Sequence, residues 1–154
     1  TDRIVLPHSE TQQLDTGPFT VELFVYLSST GTSGFMGNYA GWYFQIYAGE
    51  LELALGSSAI IERAWSPSTN TWYHLAVTRD SSNDIRIFVD GTQLGSSVNS
   101  TANLRHDTNN FQIGDIGTST RIFAGGYMDE IRITKGVARY TSNFTAPTKA
   151  FANR

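Results

Sequence analysis

Short runs in which every second residue is apolar recur along the chain. Phe19, Val21, Leu23, Val25 and Leu27 form one set; Trp42, Phe44 and Ile46 form another, and Leu51, Leu53 and Leu55 a third. Tyr73, Leu75 and Val77 repeat the pattern, followed by Ile85, Ile87 and Val89, and later by Ile131 and Ile133. Successive side chains of a strand point to opposite faces, so each set predicts a strand with one face on a common core. Asp90-Gly91 predicts a tight hairpin, and Ala48-Gly49 a second. A polar loop over 80–84 links two strands. Longer connections rich in Gly, Ser, Thr and Asn run over about 28–38, 56–70, 96–110 and 115–121. The only helix suggested is a single turn near 137–140. Many short strands between turn clusters signal an all-β sandwich or barrel.

Composition narrows the class. The 154 residues are 40% hydrophobic and 16% charged, too apolar for a disordered segment. Residues 1–154 are expected to form one domain, and Thr1 in place of Met suggests a mature or excised piece of something larger. No apolar run approaches the roughly 18 residues needed to cross a bilayer, so membrane insertion is not expected. Eleven Lys and Arg against 14 Asp and Glu give a net charge of -3, without the basic footprint of a nucleic-acid binder. The absence of cysteine excludes disulfides, thiolate metal sites and cysteine nucleophiles.

Four stretches carry a resemblance. They are Asp15-Thr16-Gly17-Pro18-Phe19-Thr20-Val21-Glu22, Trp72-Tyr73-His74-Leu75-Ala76-Val77-Thr78-Arg79, Ile85-Arg86-Ile87-Phe88-Val89-Asp90-Gly91 and Gly126-Tyr127-Met128-Asp129-Glu130-Ile131-Arg132-Ile133. In this order and spacing the chain resembles the laminin-G-like, concanavalin A-like lectin/glucanase superfamily. The resemblance implies a concanavalin A-like jelly-roll β-sandwich of two antiparallel sheets. The family has a further strand before the segment matching 2–7, which this chain lacks. The ending Arg132-Ile133-Thr134-Lys135-Gly136-Val137-Ala138-Arg139-Tyr140, with Asn143-Phe144-Thr145-Ala146-Pro147, is similar to domains on bacteriophage tail, fibre and other virion proteins. That likeness implies a virion location, with host cell-surface polysaccharide and other virion subunits as partners. Two sequons, at Asn99 and Asn143, would go unmodified in a phage protein.

The alternation also names the outward residues: Glu22, Phe24 and Tyr26; Tyr43, Gln45 and Tyr47; His74, Ala76 and Thr78; Arg86, Phe88 and Asp90. If these strands share one sheet, its outer face gathers Phe24, Tyr26, Tyr43, Gln45, Tyr47, His74, Arg86 and Phe88. Aromatic rings beside hydrogen-bonding groups suit a sugar, whose C–H faces stack while its hydroxyls seek donors and acceptors. The other reading is that a loop, a neighbouring domain or a partner covers this face, or that the aromatics serve strand packing. Trp42 and Trp72 sit at core or strand-start positions and read as structural. Trp65, near a loop, is the tryptophan most open to partial exposure, although a core position is favoured.

Asp129 shares parity with Ile131 and Ile133 and should point inward. A buried carboxylate needs hydrogen bonds or a cation. Superfamily members often hold calcium, so the resemblance implies a structural calcium ion at Asp129, with Asp80, Asp84, Asp107 and Asp115 as loop candidates. The alternative is a carboxylate that caps backbone N–H groups. Glycoside hydrolysis needs two carboxyls across the sugar. Glu50-Leu51-Glu52 is the one similar pattern and reads instead as a solvated strand end. His8, His74 and His106 lack zinc-site spacing. Arg121 and Arg105-His106 are isolated. The expected function is a non-catalytic glycan-binding module, with a structural virion-assembly or decoration domain as the alternative and a glycosidase or lyase third.

Overall fold

The structure, a computed structural model, describes residues 2–105 and 108–152. Among the described residues twelve strands form two antiparallel sheets, as the alternation predicts. The first sheet has the order β1 (Ile4–Leu6), β11 (Phe111–Ile113), β3 (Ser33–Gly37), β4 (Trp42–Tyr47), β5 (Glu50–Leu55) and β6 (Ser58–Ala64). The second runs β10 (Val98–Asn99), β8 (Asp84–Val89), β7 (Thr71–Arg79), β2 (Phe19–Leu27) and β12 (Gly126–Lys135), with β9 (Thr92–Gln93) paired to β8. A single 3-10 turn spans Glu10–Gln12, capped by Ser9. The turn expected near 137–140 does not form; those residues are irregular.

The inward residues of both sheets meet in one core. Phe19, Val21, Leu23, Val25, Leu75, Val77, Ile85 and Ile87 pack against Phe35, Trp42, Phe44, Ile46, Leu51 and Leu53, all at most 1% exposed. Every residue in that set follows the predicted parity except Phe35, which lies in a stretch read as loop. Its strand, β3, is Ser- and Gly-rich and carries a bulge between Gly34 and Met36. That bulge breaks strict alternation, so both Phe35 and Met36 are buried. β6 and β10 likewise lie inside stretches read as loops.

Both predicted hairpins are present. Ala48 (φ 52°) and Gly49 (φ 84°) join β4 to β5, and Asp90 (φ 49°) and Gly91 (φ 79°) join β8 to β9. Positive φ at both central residues of a two-residue loop is the type I′ geometry, whose twist matches that of the strands.

β4 does not belong to the sheet of β2, β7 and β8. The eight outward candidates therefore divide. Phe24, Tyr26, His74, Arg86 and Phe88 lie on the outside of one sheet, and Tyr43, Gln45 and Tyr47 on the outside of the other. Local alternation fixes a residue's face but not its strand's neighbours, so this separation was not legible.

Candidate functional site

The outer face of the β2 sheet is built from paired rows. Glu22 lies beside Ala76 and Arg132, Phe24 beside His74 and Asp129, and Tyr26 beside Trp72 and Tyr127. The chain after β12 folds back over the first two of these rows. Tyr140 and Phe144 stack ring on ring at 3.5 Å, and Phe144 lies edge-on to Phe88 at 5.3 Å and to His74 at 5.8 Å. Phe151 reaches both Phe24 (6.1 Å) and His74 (6.2 Å). The tail is held by polar bonds as well: the Thr78 hydroxyl donates to the Tyr140 carbonyl, and the Phe144 N–H to the Gly91 carbonyl at 2.9 Å. His74 and Phe88 are thus buried and unavailable to a ligand. For them the covering reading holds, and the cover is the chain's own C-terminal segment.

Beneath the tail sits a charged cluster. Glu22, fully buried, accepts from Tyr140 Oη at 2.9 Å and Arg132 Nε at 2.9 Å, and contacts His74 Nε2 at 3.1 Å. Burial pushes its carboxyl upward, but the bonds from His74, Arg132 and Tyr140, with the Arg132 charge, outweigh burial and hold it below the usual range. Burial and the adjoining Glu22 charge push the Tyr140 phenol up to about 12. This cluster clasps the tail, with Glu22 and His74 closed to solvent and Arg132 and Arg139 partly exposed. Arg86, the remaining candidate here, pairs with Asp80 (2.6 Å) and Asp84 (3.3 Å), so two of the calcium candidates are committed to an arginine.

The third row stays open. Tyr26, Trp72 and Tyr127 occupy directly opposed positions on three adjacent strands, with ring centroids 5.6 and 5.8 Å apart. Trp72 is 47% exposed and Tyr127 68%. The Tyr26 hydroxyl donates to Asn70 Oδ1 at 3.3 Å, and the Asn70 N–H is tied to the Leu27 carbonyl. Of the sequence candidates only Tyr26 belongs to this row. Trp72, read as structural, is the most exposed tryptophan; Trp42 is fully buried and Trp65 packs edge-on to Tyr73. The outward parity of Tyr26 and Trp72 was available in the sequence, but their pairing with Tyr127 was not.

Asp129 does not point inward. Between Asp129 and Arg132 the β12–β2 register slips, with Glu130 at φ 50°. The bulge reverses parity, so Ile131 and Ile133 face the core while Asp129 lies exposed on the outer face opposite Phe24. Its Oδ1 accepts from the next residue's N–H at 2.8 Å. Among the described residues no three His, Asp or Glu side chains are grouped to hold a metal. The surroundings of Asp129 do not fit a calcium ion, which takes six to eight oxygens. Asp115 is buried, paired with Arg3 at 2.9 Å. Asp107 and His106 lie outside the described residues.

On the other sheet Tyr39 stacks on Tyr43 at 5.5 Å, and the Arg121 guanidinium lies over the rings of Tyr39 and Tyr47 at 5.0 and 4.3 Å. Tyr43 and Gln45 are buried; Tyr47 is 43% exposed. The solvated strand end expected at Glu50-Leu51-Glu52 is not what forms, because Glu52 is buried at 6% exposure. Burial raises its carboxyl above the usual range, helped by the charges of Glu62 and Glu50 and opposed by Gln45 and Arg121. A carboxyl so enclosed cannot reach across a sugar ring.

A family description of the concanavalin A-like lectin/glucanases superfamily, of laminin-G type, matches residues 1–139. The chain belongs to that superfamily. No curated protein matches it. Among solved structures, a presumptive carbohydrate-binding protein from Bacteroides ovatus superposes with a TM-score of 0.73 at 24% identity, covering 91% of this chain and 43% of that one. Domain 4 of an extracellular arabinanase from Geobacillus stearothermophilus, solved with arabinotriose, gives 0.63 at 23% identity, covering 87% and 66%. A heptameric pentraxin from Limulus polyphemus gives 0.60 at 14%, covering 85% and 74%. At these identities the likeness is one of fold. The chain spans less than half the length of the Bacteroides protein.

Proposed function

We propose that this domain is a non-catalytic carbohydrate-binding and adhesion module of a phage virion protein, recognising host-surface glycans. The observation that carries the reading is the row Tyr26–Trp72–Tyr127, whose two outer rings are exposed. Two exposed rings, Trp72 and Tyr127, flanking the half-buried Tyr26 on a partly tail-covered face form an apolar surface with polar tips, which is what sugar rings with hydroxylated edges require. The Bacteroides carbohydrate-binding protein and the Geobacillus domain solved with arabinotriose add support. The enclosed Glu52 favours binding over hydrolysis. The test is a glycan array followed by affinity electrophoresis in polysaccharide gels. Wild type should bind and be retarded, and Trp72→Ala should lose at least tenfold in affinity. An array with no hit would remove the proposal.

A second reading, a virion-assembly or decoration domain, is favoured by a different place. Between the edge strands β1 and β12 lies a cleft of about 490 Å³ lined by Ile4, Ile113, Phe123, Met128 and Ile131, with Ile4 56% exposed. Tyr127 also lines this cleft, so a subunit seated there would compete with a ligand on the row; in the isolated domain Ile4→Ser should disturb assembly while leaving glycan retardation intact.

A further inference from the structure

We propose that the Tyr26–Trp72–Tyr127 row takes three consecutive residues of a single, uncharged glycan chain lying across the strands, and that it selects against chains bearing carboxylates. This rests on the carbohydrate reading above and adds the class of ligand.

Three features of the row define that class. The first is its spacing. Trp72, Tyr26 and Tyr127 are opposed on neighbouring strands, and the two centroid separations, 5.6 and 5.8 Å, are nearly equal. Equal steps call for a ligand that itself repeats, one ring against each side chain. A compact small molecule would cover only part of the row. The second is its tilt. Tyr26 is inclined 58° to Trp72 and 45° to Tyr127. The three rings are not coplanar, so a flat crystalline polysaccharide surface cannot lie face-on against all of them. A free chain that turns between residues can present a C–H face to each.

The third feature is charge. Asp129 is exposed on this same face, two residues beyond Tyr127 and opposite Phe24. The arginines of this face are engaged: Arg132 with Glu22 at 2.8 Å and over the Phe151 ring at 3.8 Å, Arg139 with Thr134 at 3.0 Å and Glu22 at 3.8 Å, and Arg86 with Asp80 and Asp84. Arg3, in the cleft that Tyr127 also lines, is paired with Asp115. A stacked polyanion would therefore meet the exposed Asp129 carboxylate while the arginines of this face are engaged, which disfavours single-stranded nucleic acid as well as uronate chains. For a neutral chain the Asp129 carboxylate, the Asn70 amide and the tyrosine hydroxyls are acceptors and donors for sugar hydroxyls.

The experiment uses the whole chain. Gluco-, xylo- and arabino-oligosaccharides of two to six residues and oligogalacturonates of matching length are titrated by calorimetry at low ionic strength, where charge effects are least screened. For the bound series, affinity should rise at least tenfold from dimer to trimer and then level off. Oligogalacturonates should bind at least tenfold more weakly than that series, and Asp129→Asn should narrow the gap. Trp72→Ala and Tyr127→Ala should each weaken the trimer at least tenfold with an unchanged thermal midpoint, and microcrystalline cellulose should not retain the protein. Affinity complete at the disaccharide, equal binding of the acidic series, or a trimer affinity untouched by both variants would overturn the proposal while leaving carbohydrate binding intact. Failure of any glycan to bind on a broad array would overturn both.

Discussion

Gly91 and Gly49 occupy the same position in two hairpins of the same type, and substituting each by alanine separates turn strain from tail attachment. Both have positive φ, 79° and 84°. An L-residue held in that region costs about 1 kcal/mol. A Cβ on Gly49 meets nothing within 4 Å, so Gly49→Ala should cost only that. A Cβ on Gly91 would lie 2.0 Å from the Phe144 carbonyl oxygen and 3.2 Å from the Ala146 nitrogen. Both are backbone atoms of the tail, which must lift. The bond from the Phe144 N–H to the Gly91 carbonyl then goes, worth about 1 kcal/mol, together with ring contacts to Phe88 and His74 worth about another. Gly91→Ala should therefore cost about 3 kcal/mol. At 2–4 °C per kcal/mol for a domain of this size, the midpoints should fall by roughly 3 °C for Gly49→Ala and roughly 9 °C for Gly91→Ala. Thermal and urea denaturation measure both, and a hydrophobic dye should bind the Gly91 variant as the covered aromatics open. Equal losses in the two variants, without dye binding, would refute the idea that the tail seals this face.

Two of the buried carboxyls, Glu22 and Glu52, should respond oppositely to neutralisation. Glu22 has its folded pKa held below the usual value, so its contribution is complete above the ordinary carboxylate range and is lost as pH falls through the folded value. Glu22→Gln should cost about 3 kcal/mol near neutral pH, and the variant and wild type should converge in acid; parallel denaturation curves at all pH values would contradict this. Glu52 has its folded pKa raised, so in acid, with both states protonated, it contributes nothing, and as pH rises through the unfolded value its burial destabilises the fold. Glu52→Gln should raise the thermal midpoint at neutral pH and leave it unchanged in acid, and a lower midpoint at neutral pH would count against the raised value.

Much of the fold was legible because strand alternation is a local signal. The inward residues of β2, β4, β5, β7 and β8 could be named outright, and so could the Ala48-Gly49 and Asp90-Gly91 turns, since few residue pairs tolerate two positive φ values. β3 escaped because Ser33, Gly34 and Gly37 look like loop and a bulge interrupts the period. Asp129 was misplaced for a related reason: an extra residue at Glu130–Ile131 reverses every face inferred by counting back from Ile133. The site was only partly legible, because it depends on pairings between distant segments. Tyr26 could be read as outward. That Trp72 and Tyr127 flank it, and that Tyr140, Phe144 and Phe151 fold over Phe24, His74 and Phe88, follows from topology and not from any local pattern.

The three tryptophans offer the most direct test of where a ligand meets this domain. Trp42 is buried with its indole N–H donating to the Gln12 carbonyl at 2.8 Å, Trp65 packs on Tyr73, and Trp72 stands in the open row. Titrating the glycan that binds best on the array into nitrogen-15-labelled protein should move the Trp72 indole resonance saturably and leave those of Trp42 and Trp65 in place. A titration that saturates while the Trp72 signal stays still would contradict the assignment of the aromatic row as the binding surface.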